Sequence, residues 1–174
     1  EHREYLGRTL REIAFEKAGI IKRCRPVVTG VRQASALAVV TETALKRSAP
    51  LFRLGAEFRV RRASGGRFTF YGMNHIWPNM ATSLRGGYQT ENAALVLAAC
   101  ELLMQRASRI SASSIREGLI TNRWPGRLEL VCETPLVMLD GAHNLAAARQ
   151  LAQHLTMHFS NREITMVVGI LGDK

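Results

Sequence analysis

The chain has 174 residues, a formal charge of +10 at pH 7 and 47% hydrophobic residues. That leaves room for one good core or two small ones, and no apolar run approaches the ~18 residues that a membrane helix needs. Twenty of the 24 basic residues are arginine, scattered but densest at Arg59, Arg61, Arg62 and Arg67. With only 6% aromatics and no nucleic-acid motif, anionic small molecules suit this charge at least as well as nucleic acid does. Cys24, Cys100 and Cys132 are odd in number, far apart and form no CxxC pair. That argues for free thiols in a reducing compartment and against a cysteine zinc site. The chain opens on Glu1 rather than Met, with no charged-then-apolar leader. It is therefore expected to be a piece of a longer polypeptide without an export signal.

In chain order, residues 9–21 read as a helix, with a capping box at Thr9-x-x-Glu12 and an apolar stripe of Leu10, Ile13, Ala14, Ala18 and Ile21. Val27 to Thr29 reads as a short strand after Pro26, residues 34–47 as a helix and Leu51 to Leu54 as an extended piece. Phe58–Val60 and Arg67–Tyr71 look like a hairpin around Ser64-Gly65-Gly66. Residues 72–89 carry little pattern. A strong helical repeat covers 92–105, and a shorter helix about 112–120 is capped by Ser111 or Ser114. Trp124-Pro125-Gly126 is a turn signal and the candidate domain boundary. Strands near 128–132 and 136–140, a helix over 145–158 and a strand over 164–170 follow. The last three are expected to form a right-handed βαβ unit.

The most informative stretch is Leu139-Asp140-Gly141-Ala142-His143-Asn144. It sits between a strand and a helix, and so places a carboxylate, an imidazole and a carboxamide at the carboxyl end of a strand, where open α/β sheets bind ligands. The same residues also suit an ordinary βα turn, with Asn144 as N-cap and Asp140 as turn residue. Lys17 falls on the midline of the apolar stripe of its helix. It is either snorkelling to solvent or partly desolvated, which would make its amine more neutral and nucleophilic. His2 by itself reads as a surface residue, Asn92 as the N-cap of the long helix and Arg127 as a solvated linker residue. His154 and His158 have the i, i+4 spacing of a zinc pair but lack the Glu of HExxH, and read as solvated. No phosphate-cradling glycine loop occurs.

Several segments together resemble the folylpolyglutamate synthase/dihydrofolate synthase family of the Mur-ligase group. They are Tyr5 to Lys22 with Arg25 to Gly30, Gly87-Tyr88-Gln89-Thr90-Glu91-Asn92-Ala93-Ala94-Leu95, Trp124-Pro125-Gly126-Arg127-Leu128-Glu129, Leu139 to Asn144, and Gly169 to Lys174. The resemblance implies an α/β fold. Residues 1–124 would be the C-terminal part of a Mur-ligase-like central ATPase domain. Residues 125–174 would be the first βαβ of a Rossmann-like glutamate-ligase domain.

It also implies a cytoplasmic, monomeric ligase that uses ATP and Mg²⁺ to join L-glutamate to dihydropteroate or folate through an acyl phosphate. Such a reaction needs basic groups against crowded negative charge and shielding from water. By resemblance His2 would ligate Mg²⁺, and so would Lys17 through a carbamate, an oxygen ligand suited to that ion. Asn92 would contact adenine and Arg127 the ATP phosphates. Asp140 and His143 would meet the nucleotide, His143 with a catalytic role. Tyr88 replaces the usual His of the HQ pair, Glu1 the usual Asp and Leu145 the usual Pro. The phosphate-binding loop is not in this sequence, so the chain by itself is expected to be inactive. Another Mur-type amino-acid ligase, or a non-catalytic truncated relic, are the alternatives.

Overall fold

The Thr9 capping box is formed: the threonine hydroxyl accepts the Glu12 N–H at 3.2 Å and the Glu12 carboxylate accepts the Thr9 N–H at 3.0 Å. The helix it starts, α1 (Leu10–Ala18), stops at Gly19, shorter than its pattern suggests. A computed structural model describes residues 9–106 and 109–170 of the chain; His2 and the end of the Gly169 to Lys174 segment lie outside them. The face that α1 buries is Ala14 and Ala18, with Ile21 beyond its end, whereas Leu10 is 56% exposed. Lys17 lies off that face and is exposed. Small alanines allow close approach to α2 (Ala34–Lys46), which contributes Ala36, Val39, Val40 and Ala44 to the same cluster.

Strand β1 (Val27–Thr29) and strand β2 (Leu51–Arg53) pair in parallel, Val27 opposite Leu51, with α2 as the crossover between them. After β2, Arg53 grips Glu57 at 2.8 Å through its guanidinium and also through its own backbone N–H. The guanidinium holds the Glu57 carboxyl down at about 2.

Strand β3 (Arg59–Arg62) and strand β4 (Phe68–Tyr71) form the expected antiparallel hairpin. A third strand, β5 (Ile76–Met80), adds to β4 inside the stretch that carried no pattern. Its irregularity explains that: it holds Pro78, tolerated because β5 is an edge strand, and Asn79 at φ 56°, where the register slips between Phe68 and Phe70. The inner face of this sheet supplies Phe68, Phe70, Trp77 and Met80 to the largest core, with Trp77 stacked on Phe70 at 5.4 Å.

Helix α3 (Gln89–Met104) covers that sheet with Ala93, Ala94, Leu97 and Ala98, and α4 (Ala112–Thr121), capped by Ser111, adds Ile115 and Leu119. Helix α3 begins three residues earlier than its apolar pattern, so Asn92 is inside the first turn and is not the N-cap. Glu101 on α3 is wholly buried. Its carboxylate accepts the backbone N–H groups of Met73, Asn74 and His75 at 2.9, 2.6 and 2.6 Å, and lies 3.0 Å from Nδ1 of His75. One helix side chain thus organises the β4–β5 turn. Gly72 is required there, because a Cβ would stand 2.2 Å from the Glu101 carboxylate oxygen.

Beyond residue 122 the described chain forms an antiparallel pair, β6 (Glu129–Glu133) and β7 (Leu136–Leu139), and then α5 (Leu145–Phe159). Residues 164–170 are not a strand. They are exposed, and they face β7 and α5 across an open groove of about 640 Å³ in place of a hydrogen-bonded ladder. Among the described residues of this part, only Leu128 and His154 are buried, while Leu136, Val137, Leu139 and Leu145 are each more than a third exposed. No described helix is long and apolar enough to cross a membrane.

Candidate functional site

The site is built where β7 ends. Asn144 caps α5 by accepting the Ala147 N–H at 2.9 Å, so the turn between strand and helix is Asp140 to His143. The ordinary turn chemistry is therefore present: Asp140 accepts the Ala142 N–H at 2.9 Å through Oδ1. Its second oxygen does something that turn chemistry does not require. Oδ2 accepts the N–H of Leu128 at 2.9 Å, twelve residues back in the linker. The Gly141 N–H adds a third tie by donating to the Gly126 carbonyl at 2.7 Å.

The linker itself is sharply folded. Gly126 has φ 69° and Leu128 has φ 49°, left-handed backbone that is unusual for a residue with a Cβ. The Glu129 carboxylate accepts the Gly126 N–H at 2.7 Å. Leu128 is 2% exposed and packs toward Gly86, beside the Tyr88 ring. Arg127, half-buried, is carried between these anchored residues.

Tyr88, Arg127, Leu128 and Asp140 together line a cleft of about 250 Å³, closed on the other side by Ala147 and Leu151 of α5. It joins the segment that opens α3 to the linker and to the end of β7. An aromatic ring, a guanidinium and a carboxylate facing one small cavity can stack a planar ring, offset negative charge and accept hydroxyl hydrogens. His143 sits on the same turn. Its Nδ1 is 2.8 Å from the Gly141 carbonyl. A carbonyl only accepts, so Nδ1 carries a proton and Nε2 is the nitrogen left for other partners.

Arg127, Asp140 and His143 are thus gathered on the linker and the strand end. Asn92 is exposed one turn into α3, and its amide donates to Gln89 Oε1 at 3.0 Å; it does not line the cleft. Lys17 is exposed on α1 and does not line it either. The desolvated alternative for its amine therefore has no support among the described residues, because its helix buries the neighbouring alanine face instead. Among those residues no group of three or more His, Cys, Asp and Glu side chains is placed to hold a metal ion.

Two participants were not expected. Glu129 ends the Trp124-Pro125-Gly126-Arg127-Leu128-Glu129 segment, three residues after a turn glycine, a spacing that lets its carboxylate reach back to the turn's N–H. His154, read as solvated, is 8% exposed, and its Nε2 is buried without a hydrogen-bond partner. Helix α5 is turned so that Ala147, Leu151 and His154 lie inward and Leu145 outward, at 67% exposure. Burial lowers the His154 pKa from 6.5, and His158, 4.4 Å away between ring centroids, and Arg85 push the same way, against Asp140. A histidine lowered in the folded state stabilises the fold above its ordinary value, and that contribution is lost as pH falls below it. We therefore expect the melting temperature to fall between about pH 7.5 and 5.5, and His154→Leu to flatten that fall; thermal unfolding at the two pH values measures it.

Residues 126–174 match the family described as Mur ligase, glutamate ligase domain. The cleft residues Arg127, Leu128 and Asp140 lie at the start of that matched segment. Over its whole length the chain is also similar to named synthases. It is 40% identical over 179 residues to the dihydrofolate synthase/folylpolyglutamate synthase of Bacillus subtilis (strain 168), covering 100% of this chain and 42% of that protein. A mutant of L. casei FPGS superposes with a TM-score of 0.89 at 34% identity, over 98% of this chain and 43% of that one. An FPGS–AMPPCP–folate complex gives a TM-score of 0.85 at 34% identity, over 92% and 40%. The mixed α/β fold is that of the corresponding segment of these synthases, and the chain spans about two fifths of their length.

Proposed function

We propose that these residues serve an ATP-dependent ligase that joins L-glutamate to dihydropteroate or folate through an acyl phosphate. Residues 1–124 would belong to its central ATP-binding domain and 125–174 to the start of its glutamate-ligase domain. The observation that carries the reading is the convergence of Tyr88, Arg127 and Asp140 on one cleft between the α3 segment and the β7 turn.

The donor set suits a nucleotide. The Arg127 guanidinium offers forked N–H donors to phosphate oxygens. Asp140 keeps acceptor capacity beyond its two backbone bonds for a sugar hydroxyl, and the Tyr88 ring supplies an apolar wall. The Nε2 of His143 is free to accept or hold a proton at the edge of the turn. Asn92, one turn from Tyr88 on α3, would contact the adenine edge. ATP supplies the phosphoryl group that activates the carboxylate; the chain's own residues bind, offset charge and exclude water around it.

In the same reading His2 and Lys17, the latter through a carbamate, would hold Mg²⁺. The described donors do not gather such a site, and no role above depends on it. A monomer in the cytoplasm completes the proposal.

The test is expression of the longer polypeptide that carries this sequence, assayed with ATP, L-glutamate and either dihydropteroate or folate. The expected result is glutamate-dependent ADP release and a product heavier by one glutamyl unit. Transfer of a different amino acid would move the protein to another Mur-type ligase, and no amide product with any amino acid would overturn the reading.

A further inference from the structure

We propose that Glu129 and Asp140 are positioning residues for Arg127. Their carboxylates hold the backbone N–H groups on either side of it and so set the linker shape that presents the guanidinium to the cleft. Glu129 Oε2 holds the N–H of Gly126 and Asp140 Oδ2 holds the N–H of Leu128, at 2.7 and 2.9 Å. The Gly126 carbonyl is held in turn by the Gly141 N–H at 2.7 Å.

Carboxylate acceptors hold N–H groups more strongly than neutral ones. They are needed because Leu128 sits in left-handed backbone at φ 49°, a conformation that persists in a residue with a Cβ only where its surroundings over-determine it. Here the surroundings are the two carboxylates and the seat of the Leu128 side chain, 2% exposed against the Gly86 segment. The residue between these anchors is the one cation among the described residues that lines the cleft. Pre-set backbone spares Arg127 the ordering that a free linker would need before meeting an anion.

This positioning role of Asp140 is separate from contact with a nucleotide, and the phosphate part of the argument rests on the function proposed above.

Amide hydrogen exchange on the ¹⁵N-labelled chain tests it. In Glu129→Ala the Gly126 amide should exchange about tenfold faster or more, with the Leu151 and His154 amides unchanged. Glu129→Gln, whose side-chain carbonyl still accepts, should recover most of the protection. Should Glu129→Ala also deprotect α5, Glu129→Asp keeps the charge and removes only the reach, and its Gly126 amide must speed up alone. Unchanged Gly126 exchange in these variants overturns the proposal. Titration with tripolyphosphate then separates the two readings. Perturbation of the Arg127 Nε signal in the parent chain, about fivefold weaker in Glu129→Ala, supports both. A lost amide protection without any tripolyphosphate response at Arg127 upholds the positioning and removes the phosphate reading.

Discussion

Replacing Glu101 with alanine is expected to destabilise the protein by about 3–5 kcal/mol, the larger of two stability-or-function losses we anticipate. The carboxylate is wholly buried and accepts three consecutive backbone N–H groups, Met73, Asn74 and His75, besides facing the His75 ring. Each donor left unsatisfied costs roughly 1–3 kcal/mol, less where water can reach it. Asn74 and His75 are exposed enough for part of that recovery, which keeps the total below the simple sum. The melting temperature should fall on the order of 10 °C. Glu101→Gln should fall between the two, because its amide retains one acceptor oxygen but turns an NH₂ toward donors. Urea and thermal unfolding decide it. Equal stability of Glu101→Ala and the parent chain would mean that the β4–β5 turn holds its shape by strand pairing alone.

Arg127→Ala carries the largest expected effect on activity. In the ligase proposed above, removing a preorganised cation from a developing phosphate charge should lower kcat/KM by about 10²–10³. Arg127→Lys should recover only part, since a point charge cannot reproduce the planar fork. Neither variant should move the melting temperature much, because Arg127 is half-exposed and its backbone, not its side chain, is held by the Glu129 and Asp140 carboxylates. Steady-state ADP release together with a melting curve measures both. A kcat/KM within about twofold of the parent enzyme would place the guanidinium away from the transferring phosphate.

Local chemistry is legible in the amino-acid sequence. Thr9 and Ser111 cap their helices as their spacing suggests. Asn144 caps α5, and the β3–β4 hairpin closes around its glycines. Each of these is decided by residues within a few positions of one another. The strand over 164–170 fails on the same ground: apolar composition favours extension, but a strand also needs a neighbour to bond to, and β7 stands across a groove from it. Strand β5 was hidden by the opposite effect, since Pro78 and Asn79 spoil its pattern while pairing to β4 holds it in place.

By itself the sequence determined where the helices capped by Thr9, Ser111 and Asn144 start, and which motifs mark the linker and the β7 turn, because those depend on short-range sterics and capping. Only the tertiary structure decided what lies more than a few residues apart. Lys17 faces solvent because α2 packs on the alanine face beside it. His154 is buried because α5 turns that face inward. The Glu101 carboxylate reaches a turn 26 to 28 residues away, and Asp140 finds Leu128 across the linker. Such contacts follow from how elements pack, and no pattern within one element carries that information.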